Sequence, residues 1–208
     1  MAARPAGDAE ERLIEAGKEI LAEEGLGGLS VRAVAARAGV NLGLVSYHFG
    51  GKDAFVQRVV GDLYEEFFAD FSLGVEGETD PYLALRKGLL HLARFVRDHR
   101  AILRSLVKDA MNGDQVPRDF IRQNFPRHGQ ILAGLVRKCV AVGALTDLPL
   151  PVLMSTIMGV VVAPTLMADP LIKSEIKAMG PKEEIEKALL SDEGLELRVA
   201  LALKAVRA

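Results

Sequence analysis

Arg32, Tyr47, His48 and Lys52 put a guanidinium, a phenol, an imidazole and an ammonium into one short stretch, Ser30–Lys52 (SVRAVAARAGVNLGLVSYHFGGK). Such donors suit phosphate oxygens and base edges. Tyr47, His48 and Lys52 are the expected positioning residues, donating to phosphates without reading sequence. Reading falls to the first residues of the second helix in the stretch, Asn41, Leu42, Gly43 and Leu44, with Ser46 one turn on. That set is poor in hydrogen-bond donors: Leu42 and Leu44 can pack on thymine methyls, and Gly43 lets the backbone come close. Arg32 is the candidate for a bidentate guanine contact, with a phosphate contact as its alternative. Asn41 reads more naturally as a helix cap than as a partner for adenine.

Two short helices must hold these groups. Ser30 can cap the first, whose apolar members Val31, Val34, Ala35 and Ala38 fall at helical spacing, and Gly39 can end it with positive φ. Asn41 can cap the second, running to about His48, with Val45 and Phe49 toward Ala35 and Ala38. The small residues Ala33, Ala35, Ala36 and Ala38 allow close approach, which leaves the second helix as a ridge of the width of a major groove. This is a helix-turn-helix; the plain alternative is an αα-hairpin inside another helical protein. Residues 8–24 form an amphipathic helix that braces the pair. After Gly50-Gly51 a linking helix is expected from Asp53 to about Phe71, with Phe55, Val59, Leu63, Phe67 and Phe68 at helical spacing.

Gly39-Val40 at the turn, Gly43, the run Tyr47-His48-Phe49 and Lys52-Asp53 before an apolar helix resemble, in that order, the TetR family of bacterial transcriptional regulators. The resemblance covers roughly residues 8–60. It implies DNA contacts from Tyr47, His48 and Lys52, and a second domain that senses small molecules. Many relatives carry tyrosine where this chain has Ser46, which removes one expected backbone contact.

Length and composition agree with such a molecule. The 208 residues are half apolar, enough for a small and a medium domain, and the net charge of −2 shows no global attraction to nucleic acid. From Gly25 to Val60, however, Arg32, Arg37, Lys52 and Arg58 stand against Asp53 alone. The acidic first helix (Asp8, Glu10, Glu11, Glu15, Glu19, Glu23, Glu24) should face away from phosphate. The one cysteine, Cys139, fits a reducing cytoplasm and inert packing, with a redox role as the lesser option beside Arg137 and Lys138. MAARPAG leads into no apolar signal region, so a cytoplasmic location is expected. The uncharged run between Asp147 and Asp169 reaches spanning length, but Pro149, Pro151 and Pro164 and the absence of flanking Lys or Arg clusters favour a core or subunit-interface helix over a membrane one.

Further helices are expected at Pro81–His99 (capped by Asp80), about Arg100–Ala110, Pro117 to about Val142 with Gly143 as its stop, Pro151 to about Met167, Leu171–Met179 and Lys182–Val206, the last broken at SDEG. No strand pattern or repeat occurs, so the fold class is all-α: a three-helix DNA-binding domain over residues 1–52, the linking helix 53–71, and a helical bundle over 72–208 for effector binding and dimerisation. His91, His99 and His128 lack metal-ligand spacing, and no nucleophile elbow, phosphate loop or cofactor fingerprint is present, so neither an enzyme nor a cofactor or metal is expected. The expected partners are a palindromic double-stranded DNA operator, a second copy of the chain, and a small apolar or amphipathic effector. The effector's candidate wall is Phe67, Phe68, His91, Leu92, Phe95, Met111, Asn124, Phe125, His128, Leu132 and Met158, although core packing explains such residues equally well. The alternative from another class is a helical small-molecule or lipid carrier without DNA binding, which would have no reason to keep a basic face.

Overall fold

The computed structural model describes residues 6–174 and 180–208. Its helices are α1 (Ala6–Glu24), α2 (Val31–Ala38), α3 (Gly43–Phe49), α4 (Lys52–Val75), α5 (Pro81–Asp98), α6 (Arg100–Met111), α7 (Gln115–Ala141), α8 (Leu150–Val161), α9 (Ala163–Leu166), α10 (Ala168–Lys173), α11 (Lys182–Leu190) and α12 (Asp192–Ala205). Among the described residues there is no strand, only an isolated bridge between Leu145 and Arg207. The all-α class expected from the sequence holds. Packing divides the chain into two units, and α4 and α7 each supply residues to both.

The first unit holds the residues up to Glu66 together with Ala101–Asn124. Its core is hydrocarbon: Leu13, Ile20 and Leu21 of α1 meet Leu29, Val34, Val45, Phe55 and Val59, all buried. Gly17 lets α1 and α4 approach, since a Cβ there would lie 2.7 Å from the Phe55 ring. Ser30 caps α2, its hydroxyl accepting from the Ala33 N–H at 3.1 Å. Gly39 closes the helix at φ 63°, its N–H donating to the Ala35 and Ala36 carbonyls, a left-handed conformation that glycine adopts without steric cost. Tyr64 of α4 is buried, donates its hydroxyl to the Asn124 carbonyl of α7 and meets Phe120 edge to face.

The second unit holds Phe67–Arg100 and Phe125–Ala208. Asp80 caps α5 through the Tyr82 and Leu83 N–H groups, with Pro81 at the first helical position. Phe71, Leu85, Leu89, Leu132, Val136, Leu153, Ile157, Leu195, Val199 and Leu203 fill its interior. Ser191 breaks the last helical stretch within the expected SDEG, capping α12 through the Gly194 N–H. Gly194 is a seat for the end of α11, since a Cβ there would lie 2.6 Å from the Lys187 carbonyl oxygen. Beside it Arg198 is nine-tenths buried and ties three helices, donating to the Leu189 carbonyl and the Thr165 hydroxyl at 2.8 Å each. The carbonyls ending α11 suit a cation there, in place of a carboxylate.

Several element boundaries differ from expectation. α4 runs past Phe71 to Val75, because Gly74 and Val75 pack on His91 and Gly88 of α5 and hold one more turn. α7 starts before Pro117: Asp114 accepts from the Val116 N–H and opens the helix. The uncharged run forms two helices, α8 and α9, because Pro164 brings no N–H and its ring clashes with the carbonyl four residues back. No described helix is long and apolar enough to cross a membrane. The helix expected over Leu171–Met179 is α10, ending at Lys173; residues 175–179 lie outside the described ones. Cys139 is buried, and burial pushes its thiol up to about 11, with Asp80 adding to the rise, which makes it a packing residue and a poor nucleophile.

Candidate nucleic-acid interface

α3 stands out from the first unit through the residues on either side of its one buried anchor, Val45. Asn41, Leu42, Gly43, Ser46 and Tyr47 are exposed, whereas Leu44 is half-buried. Asn41 is the cap expected of it, since its Oδ1 accepts from the Gly43 N–H at 2.9 Å. The helix proper then starts at Gly43 and ends at Phe49, one residue beyond the expected end. The large side chains that project are Tyr47, 78% exposed, and Leu42, 45% exposed. Ser30 and Arg32 are exposed on the start of α2, and Lys52 on the start of α4.

The cations sort into two kinds. Arg37 donates to Glu23 at 2.9 Å and to Glu19 at 3.3 Å, and Arg58 bonds Asp62 at 3.0 Å and Glu10 at 3.4 Å. These pairs hold the Glu23 carboxyl below the usual carboxylate range and raise both guanidinium values. Arg32 and Lys52 make no ion pair among the described residues. The local positive excess counted along the sequence therefore reduces to these two side chains: Glu19 and Glu23 of α1 neutralise Arg37, and Asp62 of α4 with Glu10 of α1 neutralises Arg58.

His48 is turned inward. Its side chain is only 10% exposed, with Nδ1 3.7 Å from a Glu10 carboxylate oxygen and its ring against those of Tyr47 and Phe49. Its expected place among the outward phosphate donors is thus filled less openly than those of Tyr47 and Lys52. Glu10, far upstream, is a contact that local sequence reading missed.

The residues named for an effector wall fall into separate places. In the second unit Phe67 stacks on Phe95 with ring centroids 4.1 Å apart, and His128 meets Phe67 at 5.5 Å and Phe125 at 5.8 Å. Phe71 and His99, not named from sequence, complete the cluster, with Phe71 6.2 Å from His128 and His99 4.7 Å from Phe95. Burial alone lowers His128 to about 4, so the imidazole is neutral near pH 7. Phe68 carries the Arg127 guanidinium 4.0 Å above its ring. Leu132 packs near Gly88 beside Phe71, His91 lies against Gly74, Leu92 is buried, and Met158 is half-buried on α8. Met111 and Asn124 belong to the first unit: Met111 is exposed at the end of α6, and the Asn124 side chain bonds the Phe120 carbonyl at 2.9 Å. These two do not join the aromatic cluster.

The sequence profile of the bacterial regulatory proteins, tetR family, matches residues 13–59, the segment that holds the latter part of α1, α2, α3 and the start of α4. The probable HTH-type transcriptional regulator YttP of Bacillus subtilis (strain 168) is 22% identical over 178 residues, covering 83% of this chain and 84% of that one. Among solved structures, a TetR-family transcriptional regulator from Rhodococcus sp. superposes with a TM-score of 0.73 at 19% identity, covering 97% of this chain and all of that one. A transcriptional regulator from Saccharomonospora viridis, in complex with choline, does so at 0.75 and 14% identity, covering 95% of this chain and 96% of that one. The chain thus carries the N-terminal helix-turn-helix segment of the tetR-family regulatory proteins, on a fold that it shares with solved TetR-family regulators.

Proposed function

We propose that the protein is a ligand-responsive repressor that binds a palindromic operator as a homodimer in the cytoplasm. Residues 1–52 read DNA, 53–71 link, and 72–208 bind the effector and dimerise. The observation that carries the DNA-reading part is the exposed face on which Arg32 and Lys52 make no ion pair among the described residues while Arg37 and Arg58 are held by carboxylates. Tyr47 and Lys52 donate to phosphates, His48 through the nitrogen turned away from Glu10, and Arg32 contacts a guanine edge in each half-site.

A single seven-residue helix reads too few base pairs, so two copies must act together. The dimer surface is supported by Leu197 and Leu201 on α12, 60% and 49% exposed, and by exposed Val152 on α8. Gly159 belongs to the same face. A Cβ there would meet nothing within 4 Å in its own chain, so close crossing with a second copy accounts for a mid-helix glycine that costs about 1 kcal/mol relative to alanine. An effector site in the Phe67, Phe95, Phe125, His128 cluster is supported by its apolar, uncharged make-up and by the choline held by the Saccharomonospora viridis regulator. An effector controls DNA only by binding one state of the dimer better than the other, and about 1–3 kcal/mol of coupling suffices.

Selection of bound sequences from a random DNA pool tests the reading. The expected winner is a palindrome. Sedimentation at micromolar concentration should give a dimer that Leu201→Glu dissociates. A pool without enrichment, or a monomer that still selects one unrepeated site, contradicts it.

A further inference from the structure

Among residues 41–46, the run that starts the recognition helix, the one large exposed side chain apart from the tethered Asn41 is hydrocarbon, and Tyr47, the other large projecting group, follows on the next turn as a phosphate donor. Leu42 is 45% exposed with helical backbone angles of φ −51° and ψ −37°, so it projects as the first residue of the helical turn. Its neighbours cannot reach past it. The Asn41 side chain is held on the Gly43 N–H, Gly43 has none, and Ser46 is short. Leu44 is half-buried, so it is not an equal candidate. Nearly half of the Leu42 surface is left uncovered by its own chain, hydrocarbon that a partner can still bury. In the major groove the one hydrocarbon group that a base edge presents is the C5-methyl of thymine.

We propose that Leu42 is a specificity-determining residue that reads a thymine methyl in each operator half-site, leaving Arg32 as the polar reader. The inference rests on the DNA-reading function proposed above and adds a base identity to it. Half-sites therefore carry a fixed thymine at the Leu42 position, recognised by burial of its methyl and not by a hydrogen bond.

Exchange of thymine for deoxyuridine deletes that methyl and leaves every hydrogen-bonding group in place. Each thymine of the selected half-site is exchanged in turn, and binding of the full chain is titrated with wild type, Leu42→Ala, Leu42→Met and Lys52→Ala. One exchange should weaken wild type about fourfold when made in one half-site and about sixteenfold when made in both, the worth of one buried methyl each. Leu42→Ala should bind the thymine and uracil operators alike. Leu42→Met, which keeps an apolar tip, should still discriminate, and Lys52→Ala should weaken both operators while keeping their ratio. The proposal is overturned if no exchange costs wild type anything, if Leu42→Ala keeps the wild-type ratio, or if the selected half-site holds no fixed thymine. These outcomes leave the palindrome, and with it the DNA-reading function, intact. A pool that enriches nothing removes that function and this inference together.

Discussion

Gly17→Ala adds one methyl where α1 crosses α4. The new Cβ would lie 2.7 Å from Phe55 Cζ, 3.1 Å from Phe55 Cε1 and 3.1 Å from Val59 Cγ2. Carbon atoms prefer about 3.5–4.0 Å, so the helices must separate or the ring must leave its rotamer. Phe55 has no free side to turn toward: it is fully buried, and Phe49 meets it edge to face at 4.9 Å. Overpacking of this kind costs about 1–3 kcal/mol, from which the better helix propensity of alanine returns about 1 kcal/mol. A net loss of about 1 kcal/mol is expected, read as a lower urea midpoint at unchanged slope. Gly61→Ala is the internal reference, because a Cβ at that position of α4 meets nothing within 4 Å and should stabilise by up to about 1 kcal/mol. If Gly17→Ala stabilises as much as Gly61→Ala, the close α1–α4 crossing is wrong.

Two further outcomes follow from the second unit. His128 is held at about 4 against 6.5 when free, so the unfolded chain takes up the proton first as pH falls. Stability relative to His128→Gln should therefore be fully present above pH 6.5 and decline toward pH 4, by at most about 3 kcal/mol given the half-buried ring. A difference between the two proteins that does not vary with pH in unfolding titrations would count against the buried neutral imidazole. Gly194→Ala would press on the Lys187 and Ala188 carbonyl oxygens, backbone atoms that cannot rotate away. It should cost about 2 kcal/mol and lower the melting temperature by about 5 °C, whereas an unchanged melt means that α11 does not sit on α12 as described.

What could be read from the sequence was local. Ser30, Gly39, Asn41 and Asp80 act within a few residues of themselves, through a cap hydrogen bond or a left-handed φ, so their roles and the helices they delimit followed from residue type alone. Contacts made across long separations did not. Arg37 looked like a free cation until α1 folded back to place Glu19 and Glu23 against it, and the same fold set Glu10 beside Arg58, already paired with Asp62 one turn on, and beside the inward-turned His48. The aromatic cluster is of this kind too: Phe67 and Phe71 come from α4, Phe95 and His99 from the end of α5, Phe125 and His128 from α7. Helical periodicity named several of these residues but could not separate them from Met111, which is just as apolar and lies exposed.

The division between free and neutralised cations is the core of the DNA-binding account, and salt dependence tests it most directly. Each phosphate contact contributes about 0.9 to the slope of log affinity against log salt concentration. Operator binding should be titrated at several salt concentrations for wild type, Lys52→Ala and Arg37→Ala. Lys52→Ala should lower the slope by about 0.9 per protomer, and Arg37→Ala, whose charge is already held by Glu19 and Glu23, should leave the slope where it is. Equal losses of slope from both substitutions, or none from Lys52→Ala, would contradict the assignment of the DNA-binding face.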